Sequence, residues 1–181
     1  MPRFVVLLRG VNVGKGNRVP MAEFRALLEG LGGSQVRTLL NSGNAVFASA
    51  ARDPRGHAAR IAAGVEERFG VVTPVIVKSA AEFAAVVAGN PIVPPDPDHS
   101  RFLVAFAMEA AALRALEGLQ SLAAPGEKFV ITEAAAYLHA TVGLLESAVG
   151  KALLGKAGRS VTTRNWATVL KIASLLEEGP A

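Results

Sequence analysis

Four prolines fall within nine residues at Asn90-Pro91-Ile92-Val93-Pro94-Pro95-Asp96-Pro97-Asp98. No helix interior and no central strand tolerates such a run, because each proline removes a backbone donor and fixes φ. The chain is therefore read as two halves joined by a proline-rich linker at 90–100. Before the linker, residues 3–9 form a short apolar run of strand type. A glycine-rich loop follows, and Pro20 suits the first turn of a helix whose stripe is Met21, Phe24, Leu27, Leu28 and Leu31. Arg25 and Glu29 stand one turn apart on its outer face, and Gly30, Gly32 and Gly33 stop it. Strands at 36–40 and 45–48 flank Asn41-Ser42-Gly43-Asn44 as a hairpin. A helix at 54–69 closes at Gly70, a strand at 71–78 carries Pro74 as an edge or bulge residue, and 80–88 is helical.

After the linker the order restarts. A strand at 101–108, a helix at 109–119, a hairpin pairing 128–132 with 137–141, a helix at 146–154 and a short strand at 160–163 precede a last helix at 165–178. The expected architecture is α+β: two ferredoxin-like (βαββαβ) subdomains in tandem, 1–89 and 101–181, with an additional C-terminal helix.

A length of 181 residues, with 51% hydrophobic and 19% charged residues, describes a globular chain with a sizeable core. Five apolar residues between Arg3 and Arg9 are too few for the core of a signal peptide, and no run approaches a membrane span. The chain has no cysteine, which removes disulfides, thiol nucleophiles and thiolate metal sites. A cytoplasmic protein without membrane attachment is expected. The net charge of +4 is unevenly spread. Residues 1–40 hold six bases against Glu23 and Glu29, and residues 151–171 hold five bases and no acid. Two such segments either converge on one positive surface or form separate solvated faces.

The loop Gly10-Val11-Asn12-Val13-Gly14-Lys15-Gly16-Asn17-Arg18 fails as a P-loop. Three residues, not four, separate Gly10 from Gly14-Lys15, and Gly16 stands where a magnesium-binding hydroxyl belongs. Its amides, with Lys15 and Arg9, still suit an anion; the plainer reading is a loop that needs flexible backbone. Ser42-Gly43-Asn44 is either a turn alone or a turn that offers a hydroxyl and an amide to a ligand. In the run Thr162-Thr163-Arg164-Asn165-Trp166-Ala167-Thr168-Val169, Thr163 or Asn165 suits the helix cap and Arg164 stands at the helix's positive end. Arg164 there serves an anion or pairs with a carboxylate, while Trp166 anchors the helix. Tyr137 and His139 alternate along a strand and share a face, as acid–base partners or as packing residues. His57 and His99 lack metal-ligand spacing, and Asp53, Asp96 and Asp98 occupy loop or linker positions, so neither a metal nor a cofactor is expected. Aromatics make up only 6% of the chain, and the strands lack an RNA-recognition motif's aromatic signature.

Four runs together are specific: Leu8-Arg9-Gly10-Val11-Asn12-Val13-Gly14, Met21-Ala22-Glu23-Phe24-Arg25-Ala26-Leu27-Leu28, Asn41-Ser42-Gly43-Asn44-Ala45-Val46-Phe47 and Thr163-Arg164-Asn165-Trp166-Ala167-Thr168-Val169-Leu170. On these runs the chain resembles the DUF1697 family of domains of unknown function, across nearly its whole length. The resemblance implies an α+β fold of two similar subdomains and no assigned activity. Ala167 stands where the family commonly has a second Asn after the Trp, and Ala148 follows Ser147 where a Lys is usual.

The residues expected to bind an anionic ligand (a nucleotide, a phosphorylated metabolite or nucleic-acid phosphate) are Arg9, Asn12, Lys15, Ser42, Asn44, Arg164 and Asn165. A shared site requires the glycine-rich loop to meet the start of the last helix. Two alternatives stand beside it. One is an enzyme using His139, Tyr137 or Arg164 in a cleft between the halves, with the histidine near a carboxylate. The other is an interaction module, a homodimer included, built on exposed sheet edges or a basic face.

Overall fold

In a computed structural model, which describes residues 1–92 and 96–178, the chain is a mixed α+β protein. Among the described residues it has six α-helices and two four-stranded antiparallel sheets. It separates into two compact units, Met1–Ala84 with the chain from Ile172 onward, and Ala85–Lys171.

The first unit is built on β1 (Arg3–Leu8), α1 (Met21–Gly30), β2 (Ser34–Leu39), β3 (Asn44–Ala48), α2 (Pro54–Phe69) and β4 (Val75–Ser79). Its sheet runs β2-β3-β1-β4, with Val5 opposite Val46 and Val6 opposite Val77. From Phe4 to Leu8 every residue of β1 is buried, which explains an apolar run without alternation in a strand flanked on both sides. Helix α2 has the limits expected from its ends. Asp53 accepts from the amides of Arg55 at 3.0 Å and Gly56 at 3.1 Å, and Gly70 closes the helix in the left-handed conformation. Pro20 caps α1 from outside rather than opening its first turn, and β4 begins at Val75, one residue past Pro74. A proline cannot supply the ladder donor, so the strand starts after it. At the C-terminal end the Arg3 guanidinium donates to the Leu175 carbonyl at 2.9 Å, to that of Leu176, and to that of Glu178 at 2.7 Å. A cation on the last carbonyls of a helix is favourable there.

The second unit carries a 3₁₀ turn (Asp96–Arg101), β5 (Phe102–Ala107), α4 (Ala110–Arg114), β6 (Lys128–Ile131), β7 (Ala136–His139), α5 (Ala148–Leu154) and β8 (Val161–Asn165). Helix α3 (Ala80–Ala88) leads into it, and α6 (Trp166–Glu177) leaves it. The sheet order is β6-β7-β5-β8. One face, with Leu103, Ala105, Leu138 and Val161, packs against Leu113, Leu116, Val149 and Leu153. The other face carries Phe102, Val104, Phe106, Tyr137, His139, Thr162 and Arg164, all buried. Two expectations need correction. The helix expected at 109–119 winds down after Arg114 into a 3₁₀ turn (Glu117–Leu122), with the amides of Leu116 and Leu119 donating three residues back, to Leu113 O and Leu116 O, each at 2.9 Å. Strand β8 extends to Asn165, so Arg164 lies in a strand opposite Val104, one residue before the cap of α6.

Gly43 is fixed by a close approach. Its φ is +84°, and a Cβ there would lie 2.6 Å from Leu8 Cβ. Gly70, at φ +66°, has open space around its missing Cβ. Both substitutions to alanine carry the strain of positive φ, about 1 kcal/mol. Gly43→Ala is expected to lose a further 1–3 kcal/mol, on the order of an overpacked core position. Urea unfolding of the two variants measures the difference.

Candidate functional site

The glycine-rich loop leaves β1 through Gly10 and returns at Val19, and its two ends are anchored by the buried side chains of Val11 and Val19. Asn12 holds the loop closed. Its Nδ2 donates to the carbonyls of Val19 and Asn41, each at 2.8 Å, and its Oδ1 accepts from the Val19 amide at 2.8 Å. The Asn12 amide donates to Asn17 O at 2.9 Å, and Asn17 Nδ2 donates to Gly10 O at 3.3 Å. Gly10, Asn12, Gly14 and Asn17 all have positive φ, at +62°, +57°, +63° and +51°, while Val11 and Val13 do not. From Gly10 to Gly14 the sign of φ therefore alternates from residue to residue. Residues 13–18 are exposed, with Lys15 at the tip. Arg9, at the root, is half-buried, and desolvation holds its guanidinium below the usual arginine range.

The β2–β3 turn adjoins this loop. Asn44, buried, donates from Nδ2 to Leu39 O and to Ser42 Oγ, both at 3.0 Å. The Leu8 amide donates to Gly43 O at 2.9 Å. Arg9, Asn12, Lys15, Ser42 and Asn44 thus belong to one corner of the first unit, tied together through Asn12–Asn41 and Leu8–Gly43. The side chains of Asn12 and Asn44 build that corner, and its exposed tip carries the charge.

Arg164 and Asn165 lie in the second unit. Asn165 caps α6, its Oδ1 accepting from the Thr168 amide at 2.9 Å. Arg164 is buried and donates to Thr162 Oγ1 and to Thr163 O, each at 2.7 Å; desolvation lowers its pKa to about 10. Trp166 stands edge-on to Phe102 with centroids 5.6 Å apart. Tyr137 is buried and donates to Val86 O at 2.6 Å. Burial pushes its phenol up to about 12, partly offset by the Thr132 side chain. His139, two residues along the same face, meets Asp98 Oδ2 at 2.9 Å through Nε2. Asp98 is the partner that the sequence conceals: it lies 41 positions away, in the 3₁₀ turn Asp96–Arg101. An aspartate among the linker's prolines carries no periodic signal toward a distant strand.

The chain matches DUF1697, described as a protein of unknown function, over residues 1–137. It is also similar to the solved structure of the conserved bacterial protein SP0830 from Streptococcus pneumoniae. That likeness covers 97% of this chain and 98% of that one, at 28% identity and a TM-score of 0.71. No functionally curated protein matches. With three quarters of its length matched, the chain belongs to the DUF1697 family.

Proposed function

We propose that this protein binds an anionic ligand, a nucleotide, a phosphorylated metabolite or a nucleic-acid phosphate, at the glycine-rich loop of its first unit. The observation that carries the reading is the backbone of residues 10–14, alternating in the sign of φ and cross-braced by Asn12, between the half-buried Arg9 and the exposed Lys15. A loop braced in advance needs little ordering on binding, which favours affinity. Lys15 supplies a mobile point charge and Arg9 a planar fork at the loop's root. Asn12, Ser42 and Asn44 support the site by holding its frame. Arg164 and Asn165 serve the interior of the second unit in this reading. Residues 1–89 and 101–181 are read as the two ferredoxin-like halves of a tandem joined at 90–100, in a cytoplasmic protein. The strand orders β2-β3-β1-β4 and β6-β7-β5-β8 support that reading of the fold, since each places its first strand centrally beside its third and fourth.

Calorimetric titration with pyrophosphate tests the site. Wild type is expected to bind, and Lys15→Ala and Arg9→Ala each to bind about tenfold or more weakly, the loss of one charge-assisted contact. Equal affinity in all three proteins would reject the loop.

The His139–Asp98 contact favours a second reading, acid–base catalysis on the face that carries Tyr137. Hydrolysis of p-nitrophenyl phosphate above the buffer rate, lost in a folded His139→Gln variant, would support it; a rate unchanged by that substitution would reject it. Tyr137 contributes no proton near neutral pH. Its folded pKa lies above the ordinary value of 10, so its stabilising effect is complete below about pH 10 and is lost as pH rises through about 12. It is the chain's single tyrosine, so ultraviolet absorbance titration reads it alone, and a transition at the ordinary tyrosine pKa would contradict its buried hydrogen bond.

A further inference from the structure

The second unit holds a cleft of about 470 Å³ that the loop reading does not use. Ala112 and Ala115 form one wall, and the chain from Lys156 to Val161 forms the other. That chain is a short 3₁₀ turn, Lys156–Gly158, joined through Arg159 and Ser160 to the edge strand β8. In a 3₁₀ turn side chains three positions apart eclipse one another, and Arg159 keeps helical angles at φ −59° and ψ −24°. Lys156 and Arg159 are therefore thrown to the same side, and both line the cleft.

The turn is docked firmly. Its amides at Gly158 and Arg159 donate to Gly155 O and Lys156 O at 3.2 and 3.3 Å. Gly158 is buried, and a Cβ there would lie 1.8 Å from the Leu153 carbonyl oxygen, so the turn sits against the end of α5 at a distance only glycine permits. Two exposed cations thus leave a fixed backbone on the same side. Among the described residues, neither has a carboxylate within ion-pair distance, and no acid lines the cleft. Like charges in that arrangement repel, and an anion between them removes the repulsion. Ser160 adds a hydroxyl, while the two alanines, Ala157 and Val161 offer an apolar wall.

We propose that this cleft is a binding site for a small phosphomonoester whose phosphate lies between Lys156 and Arg159 and whose apolar body rests on Ala112 and Ala115. The volume lies within the range of small-molecule sites. The fork of Arg159 and the point charge of Lys156 are the pair that recognises a terminal phosphate.

Phenyl phosphate is the probe, titrated into the full chain with backbone amide NMR as the readout and phenol as the control. Saturating shifts are expected at Gly155 to Val161, at Ala112 and at Ala115, with phenol inert there. The double variant Lys156→Ala, Arg159→Ala should weaken binding about tenfold or more. Ala115→Leu, which narrows the cleft and leaves both cations in place, should weaken it as well. Shifts that do not saturate, that persist unchanged in either variant, or that follow phenol equally would overturn the proposal. Shifts confined to residues 10–18 would also overturn it, while leaving the loop reading intact; the same spectra therefore judge the two sites separately.

Discussion

Both central strands are buried on both faces, and that single condition governs which polar residues remain available for function. β1 and β5 carry apolar side chains at nearly every position, so each sheet has two interior faces and no solvent-facing one along its middle. A polar group on such a sheet loses water and must find a partner inside. Tyr137 finds the Val86 carbonyl, His139 finds Asp98, Asn44 finds Leu39 and Ser42, and Arg164 finds Thr162 and the Thr163 carbonyl. Among the described residues no buried side-chain nitrogen or oxygen is left without a partner. Asn44, Tyr137, His139 and Arg164 are thus fittings of a doubly covered sheet.

The same condition pushes candidate binding chemistry to the margins. In the first unit it falls on a loop whose form is set by backbone hand and by one asparagine, with Lys15 outside the core. In the second unit it falls on a short turn at the sheet edge, where Gly158 fixes the backbone and two cations face a cleft. Neither place depends on an acid–base pair. Both use positive charge with preorganised backbone, which suits recognition of anions.

Much of the fold was legible because the signals were local. Pro54 and Gly70 gave both ends of α2, and the alternation of short apolar runs with glycine turns gave the strands. The errors came where tertiary packing overrides local pattern. The amides of Leu116 and Leu119 reach back only three residues, a tighter winding than their helix-forming neighbours suggest, and pairing with β5 draws Arg164 into a strand. Positive φ at Asn12, Gln35 and Leu40 has no glycine to announce it. Asp98 was invisible as a partner because its contact with His139 joins a turn to a strand 41 positions away. Lys156 and Arg159 were visible only as charge, since their shared side depends on a 3₁₀ turn that helical periodicity does not report.

The central claim is a division of labour, with buried polar side chains as framework and exposed cations as the binding surface. Urea unfolding of wild type, Arg164→Ala and Lys15→Ala, each with and without pyrophosphate, tests it in one experiment. Trp166, the single tryptophan, reports the transition from its place against Phe102. Arg164→Ala is expected to lose about 2–4 kcal/mol of stability, the range for breaking a buried polar network, and to keep its response to pyrophosphate. Lys15→Ala should unfold within about 0.5 kcal/mol of wild type without ligand. It should then lose most of the stabilisation that wild type gains, about 2.7 kcal/mol at a hundredfold excess over Kd. The reverse pattern, a stable Arg164→Ala that no longer responds beside a Lys15→Ala that responds like wild type, would contradict the account.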